Sequence, residues 1–172
     1  MEFRYATESD APFLADINHQ LIQDEWDGGG MSLERLERRM RRWLADDDYQ
    51  AILFLEDGET VAYSLVSTDE DSAYIRHFYV LREHRRGGVG RRAVDLLLRE
   101  IIPPGLRVTL DVLASNRAGH GFWRSAGFTD YAIRMELLPA SAAAAEPTWV
   151  DSQPFDPHPP KEQASTDTRS AD

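Results

Sequence analysis

The sequence contains no cysteine. This excludes disulfides, cysteine-bound zinc and a thiol nucleophile, so any acyl transfer is direct or uses another nucleophile. Lysine occurs once, at Lys161, among 19 basic residues. No apolar run approaches the roughly 20 residues that span a bilayer. The opening MEFRYATESD has neither the basic nor the apolar region of a secretory leader. The expectation is a cytoplasmic protein without membrane association. The net charge of −11 speaks against nonspecific binding to nucleic acid. The histidines His19, His77, His84, His120 and His158 show no zinc-ligand spacing, and no metal is expected.

A chain of 172 residues, 42% of them hydrophobic, suits one globular domain plus an extension. The domain is expected over residues 1–138. From Pro139 to Asp172 the composition shifts to alanine, proline and small polar residues, which predicts a flexible tail without its own core. Trp149, Val150 and Phe155 are its apolar exceptions, able to dock on the domain or a partner.

Within the domain, Phe3 to Thr7 alternates like a short strand. Phe13, Leu14, Ile17, Leu21 and Ile22 recur at helical spacing after a capping Thr7 or Ser9. Gly28-Gly29-Gly30 interrupts the chain. Ser32 then opens a second helix with Leu33, Leu36, Met40, Trp43 and Leu44 on one face, ending at Asp46-Asp47-Asp48. Tyr49–Glu56, the turn Asp57-Gly58 and Glu59–Ser67 form a strong β-hairpin signal. Ala73–Leu81 is a third long strand. A helix from about Gly88 to Ile102 stops at Pro103-Pro104-Gly105. A strand over Leu106–Ala114, a short helix over Arg117–Ala126 and a last strand over Asp130–Leu138 complete the order. A run of antiparallel strands followed by a β-α-β crossover is an α+β architecture, a mixed sheet with helices on its faces.

Charge is distributed unevenly. Six arginines and one acid, Glu83, lie between Arg76 and Arg92, so this basic island in an acidic chain reads either as an anion site or as a solvated face. The same segment passes from a strand through a Gly- and Arg-rich turn into an amphipathic helix. At a helix N-terminus several N–H groups lack partners and carry partial positive charge, and glycine lets the main chain approach an anion closely. The construction is that of a pyrophosphate cradle. It lacks the Gly-Lys-Ser/Thr ending of a P-loop and the dinucleotide fingerprint.

Two motifs carry a resemblance. Arg85-x-x-Gly88-x-Gly90 resembles the Gln/Arg-x-x-Gly-x-Gly/Ala motif of the GNAT superfamily of N-acetyltransferases. Asn116-x-x-Gly119-x-x-Phe122-Trp123-x-x-x-Gly127-Phe128 resembles that superfamily's Asn-x-x-Ala-x-x-Phe-Tyr-x-x-x-Gly-Phe signature. The resemblance covers about residues 2–138. It implies a mixed, mostly antiparallel sheet of 6–7 strands flanked by about four helices, with two strands, Tyr74–Leu81 and Leu106–Ala114, splayed apart at a coenzyme A site. It implies acetyl-CoA as cosubstrate. Main-chain groups of Phe78, Tyr79 and Val80 would hold the pantetheine arm and polarise the acetyl carbonyl. Arg85 and the main chain of Arg86, Gly87, Gly88, Val89, Gly90 and Arg91 would take the pyrophosphate. Asn116, Phe122 and Trp123 would line the thiol channel.

The pattern departs from the family in two places. Trp123 replaces the usual tyrosine, and an indole N–H is far too weakly acidic to protonate a leaving thiolate. Arg76 and His77 stand where many members carry a glutamate. His77, with an ordinary pKa near 6.5, is the catalytic candidate for accepting a proton; a strand histidine packed under a loop is the alternative. His120 and Asp111 are further candidates. The implied activity is acetyl transfer to a primary amine of a small molecule or peptide. A non-catalytic acyl-CoA-binding or sensing module and a protein-interaction adaptor are the alternatives, and a homodimer is left open. Asp24, Glu25 and Asp27 lie where the family often builds its acceptor wall and favour a cationic amine.

Overall fold

A computed structural model of the protein describes residues 1–25, 31–45, 49–135 and 137. The expectations for Gly28–Gly30, Asp27, Asp46–Asp48 and the tail from Pro139, including Trp149, Val150 and Phe155, lie outside these residues.

The chain runs β1 (Glu2–Tyr5), α1 (Ala11–Glu25), α2 (Leu33–Ala45), β2 (Gln50–Glu56), β3 (Glu59–Thr68), β4 (Ser72–Val80), α3 (Val89–Leu96), β5 (Arg107–Leu110) and α4 (Arg117–Ser125). Five strands form one sheet in the order β1-β2-β3-β4-β5. β1 to β4 pair antiparallel with their neighbours, and β5 joins β4 in parallel through the α3 crossover. The α+β class is therefore observed.

Local chemistry accounts for the elements. Asp57 and Gly58 both take positive φ, 51° and 82°, as the tight turn of a two-residue hairpin requires. At the entry to α1, the Asp10 carboxylate accepts a hydrogen bond from the Thr7 N–H at 2.7 Å and a two-pronged contact from Arg4 at 2.8 and 2.9 Å. α3 continues as one π turn over Leu97–Ile101, with the Ile102 N–H bonded to the Leu97 carbonyl at 2.9 Å. Pro103 and Pro104 then prevent continuation.

Strand alternation divides the core into two layers. Leu14, Ile17, Leu36, Met40 and Trp43 of α1 and α2 pack on Leu53, Tyr63, Leu65 and Tyr79 on one face of the sheet. Val89, Ala93 and Leu97 pack with Ile52, Phe54, Val66 and Ile75 on the other. Each such side chain, fully buried, contributes roughly 1.5–3 kcal/mol. Leu33, expected on the buried face of α2, is instead exposed.

Two expectations need correction. The sheet has five strands, not 6–7, among the described residues, and β5 ends at Leu110 rather than at Ala114. No strand forms over the described part of Asp130–Leu138; Ile133, Met135 and Leu137 are exposed by 90%, 89% and 97%. Alternation selects a face but supplies no ladder partner. What joins this stretch to β5 is side-chain contact: the Arg107 guanidinium lies 4.3 Å from the centre of the Tyr131 ring, and Arg134 meets Asp111 at 3.3 Å.

Candidate active site

The β4–β5 ladder is short. It pairs Ser72 with Arg107 through Ile75 with Leu110 and then stops, although β4 continues to Val80. The N–H and C=O groups of residues 76–80 that point away from β3 have no ladder partner among the described residues. Buried main-chain polar groups require partners, and an extended chain bearing amides fits such an edge. A bulge lies at the start of the opening: Leu65 pairs with His77 and Val66 with Ile75, leaving Arg76 as the extra residue. Bulges of this kind re-aim side chains beside functional sites.

Beyond the open end of β4 stands the Gly-rich turn. Arg86 and Gly88 take positive φ of 65° and 75°, and Gly88 begins α3 without a side-chain cap. Uncapped first-turn amides are available to an anion. A Cβ on Gly90 would stand 3.0 Å from the Phe122 ring, so this glycine serves the approach of α3 to α4. Phe78 stacks on Phe122 at 5.7 Å, and Trp123 meets Phe78, Phe122 and Phe128 edge-on at 5.0–5.2 Å. Trp123 is thus a packing aromatic of this wall.

Asn116 has a structural function alongside any contact with a ligand. Its side-chain oxygen accepts the Gly119 N–H at 2.8 Å and caps α4, while its amide donates to Glu25 at 3.3 Å. A Cβ at position 119 would fall 2.8 Å from the Asn116 side chain, so alanine there would make that side chain shift.

The arginines of the turn reach back to α1. Arg82 and Arg85 each contact the Asp24 carboxylate at 2.6 Å, and the Tyr79 hydroxyl donates to it at 3.2 Å. Arg85 also lies 4.7 Å from the centre of the Tyr79 ring and donates to the Val80 carbonyl at 2.9 Å. Burial works to raise the proton affinity of Asp24, but the hydrogen bonds from Arg85 and Arg82 outweigh it and hold the carboxyl below its usual range. Glu25 shifts the other way: burial raises it first and the Asp24 charge adds to this, against the Asn116 hydrogen bond.

His77 faces α1 and α2, on the opposite side of β4 from Phe78. The Tyr63 hydroxyl and the Asn18 amide both approach its Nδ1, and Trp43 packs edge-on at 5.3 Å. Burial, then the charges of Arg39 and Arg76, hold the ring well below the ordinary imidazole range. His77 is therefore neutral at pH 7, and the titration between pH 6 and 7 expected from sequence is displaced to lower pH. Of the other candidates, His120 Nε2 contacts the Leu113 carbonyl at 3.1 Å, and Asp111 accepts from the Tyr74 hydroxyl at 3.0 Å while paired with Arg134.

The sequence reading therefore places the turn, Phe78–Val80, Asn116, Phe122 and Trp123 around one opening. It misses the specific contacts of Asp24 and Glu25 with that opening. The signal was two acids at the C-terminal end of a helix, where the macrodipole disfavours negative charge.

Residues 16–128 match the family model described as Acetyltransferase (GNAT) family. Solved structures share the fold. A protein from Clostridium difficile 630 described as a possible acetyltransferase superposes with TM-score 0.65 at 16% identity, covering 81% of this chain and 97% of its own. One from Clostridium acetobutylicum, described as a predicted acetyltransferase with acetyl-CoA, gives TM-score 0.62 at 20% identity, covering 80% and 95%. The aminoglycoside 6'-N-acetyltransferase of Acinetobacter haemolyticus gives 0.61 at 18% identity, covering 81% and 98%. No sequence match to a curated protein accompanies these. With the family match spanning most of the chain, and the parted strands and glycine turn lying inside it, the protein belongs to the acetyltransferase (GNAT) family.

Proposed function

We propose that the protein transfers the acetyl group of acetyl-CoA directly to a primary amine of a small molecule or peptide. The observation that carries this reading is the open edge of β4 running into the uncapped first turn of α3. An extended amide-bearing arm fits the edge, and a pyrophosphate fits the turn. Arg85, Arg86, Gly87, Gly88, Val89, Gly90 and Arg91 would hold the phosphates, Phe78, Tyr79 and Val80 the pantetheine, with Asn116, Phe122 and Trp123 along the channel. Main-chain N–H groups of β4 aimed at the thioester oxygen would stabilise the charge that develops there. Holding the amine about 3 Å from the carbonyl carbon supplies the effective molarity of an intramolecular reaction.

The absence of a tyrosine at position 123 leaves the departing thiolate to hydrogen bonding and water. This favours a second reading, an acyl-CoA-binding module without turnover. Calorimetry with acetyl-CoA, paired with thiol release against a panel of primary amines that includes aminoglycosides and peptides, separates the two. Saturable binding with amine-dependent thiol release supports transfer. Binding without thiol release supports the module.

A further inference from the structure

We infer that Glu25 accepts the proton an acceptor ammonium gives up at the mouth of the opening between β4 and β5. The inference rests on the acetyl-transfer reading and assigns a role within it.

The last turn of α1 carries two consecutive acids, and their partners lie on opposite sides of the opening. Asp24 meets Tyr79 of β4 and Arg82 and Arg85 of the turn that follows it. Glu25 meets Asn116, which follows β5 and begins α4. The helix end thus straddles the gap. The two carboxylates are not equivalent. Asp24 is neutralised by two guanidinium groups, whereas no cation pairs with Glu25 among the described residues. Its described hydrogen-bond partner is the neutral Asn116 amide. That amide is fixed in orientation: its oxygen is committed to the Gly119 N–H, so its NH2 group faces the carboxylate.

A half-buried carboxylate held by a neutral donor favours the approach of a cation. A protonated amine supplies one, and delivers its proton to the group that attracted it. Burial and the neighbouring Asp24 charge raise the proton affinity of Glu25, which is the direction a base for an ammonium needs. Among the described residues, the charged and titratable groups facing this corner are Asp24 from α1, Tyr79 from β4, and Arg82 and Arg85 from the following turn. His77 is a poorer partner for an ammonium, because burial, and then the charges of Arg39 and Arg76, already lower its proton affinity.

The ammonium gives one proton to the Glu25 carboxylate. The neutral nitrogen forms the N–C bond to the acetyl carbon, and the C–S bond breaks with its electron pair on sulfur. The nitrogen's second proton passes through water to the thiolate. Glu25 returns its proton to solvent, leaving amide, free thiol and one released proton.

Glu25→Gln tests the role, since it keeps the shape and the acceptor for Asn116. Acetyl-CoA affinity is expected unchanged by calorimetry. kcat/KM for a competent amine is expected to fall by about two to four powers of ten, with loss of the rising limb of the wild-type pH–rate profile. Glu25→Asp is expected to keep that limb at reduced rate. Wild-type turnover in Glu25→Gln, or an unchanged rising limb, overturns the assignment and leaves acetyl transfer standing. A wild-type protein that binds acetyl-CoA but releases no thiol with any amine overturns the transfer reading, and the role of Glu25 with it.

Discussion

The two faces of β4 are built on different principles. Toward α3 and α4, the wall is main chain and aromatic rings: glycines in the turn, Phe78 on Phe122, and strand amides with no ladder partner among the described residues. Toward α1 and α2, it is a network of polar side chains. His77 is met by Tyr63 and Asn18, Arg39 donates to the Asn18 side-chain oxygen, and Arg39 and Arg76 lie 4.9 and 5.0 Å from the centre of the Trp43 ring. One face is suited to a ligand recognised by its backbone-like chemistry. The other spends its specificity on holding the strand and its bulge in place.

The largest effect is expected from Gly88→Asp. The substitution puts a carboxylate at a position with φ of 75°, where an added Cβ would stand 3.2 Å from the Arg92 guanidinium. Acetyl-CoA affinity should fall by more than about 100-fold through charge repulsion and loss of the cradle, with circular dichroism unchanged. Affinity within threefold of wild type would remove the turn from the site.

Next in size is Tyr63→Phe on the opposite face. It leaves His77 without its hydroxyl partner in a buried setting, at a cost of about 1–3 kcal/mol in stability. Denaturant unfolding should show this while acetyl-CoA affinity stays constant. A parallel loss of affinity would show that the two faces act as one.

The pH dependence of stability sharpens the same division. The folded pKa of His77 lies below the unfolded value of 6.5, so the unfolded chain binds more protons as the pH drops past that value. Stability contributed by neutral His77 is full above about pH 6.5 and declines below it until the folded value is reached. Glu25, raised in the fold, acts with the opposite sign above its unfolded value of 4.5. Unfolding between pH 7.5 and 5 should therefore show an acid-side loss that is reduced in His77→Asn. An equal slope in both proteins would exclude His77 as its source.

The smallest effect is expected from Asp24→Asn. Removing this carboxylate frees Arg82 and Arg85, and acetyl-CoA should bind about two- to fivefold more tightly, the scale of an exposed ion pair. Weaker binding would mean that Asp24 orients the arginines rather than competing for them.

The contrast also explains what the sequence discloses. The main-chain face depends on glycines at fixed local offsets, so Arg85-x-x-Gly88-x-Gly90 and Asn116-x-x-Gly119 stand out in a linear reading. The hairpin at Asp57-Gly58 is legible for the same reason. The side-chain face joins Asn18, Arg39, Tyr63 and His77 across nearly 60 positions, and no local spacing announces it. Glu25 and Asn116 meet only because α1 and α4 converge. The expected strand over Asp130–Leu138 fails for a related reason: its alternation is local, whereas a ladder is made with a distant partner.

The four-residue pairing between β4 and β5 also has a consequence for motion. Local unfolding is cheapest where few hydrogen bonds must break together. β5 is held by pairs over four residues at the rim of the sheet, whereas β3 is paired on both sides over Ala62–Val66 and on one side at each of its ends. Amide protons of β5 should therefore exchange with deuterated solvent earlier than those of β3, and the seam proposed to receive the ligand should loosen before the centre of the sheet.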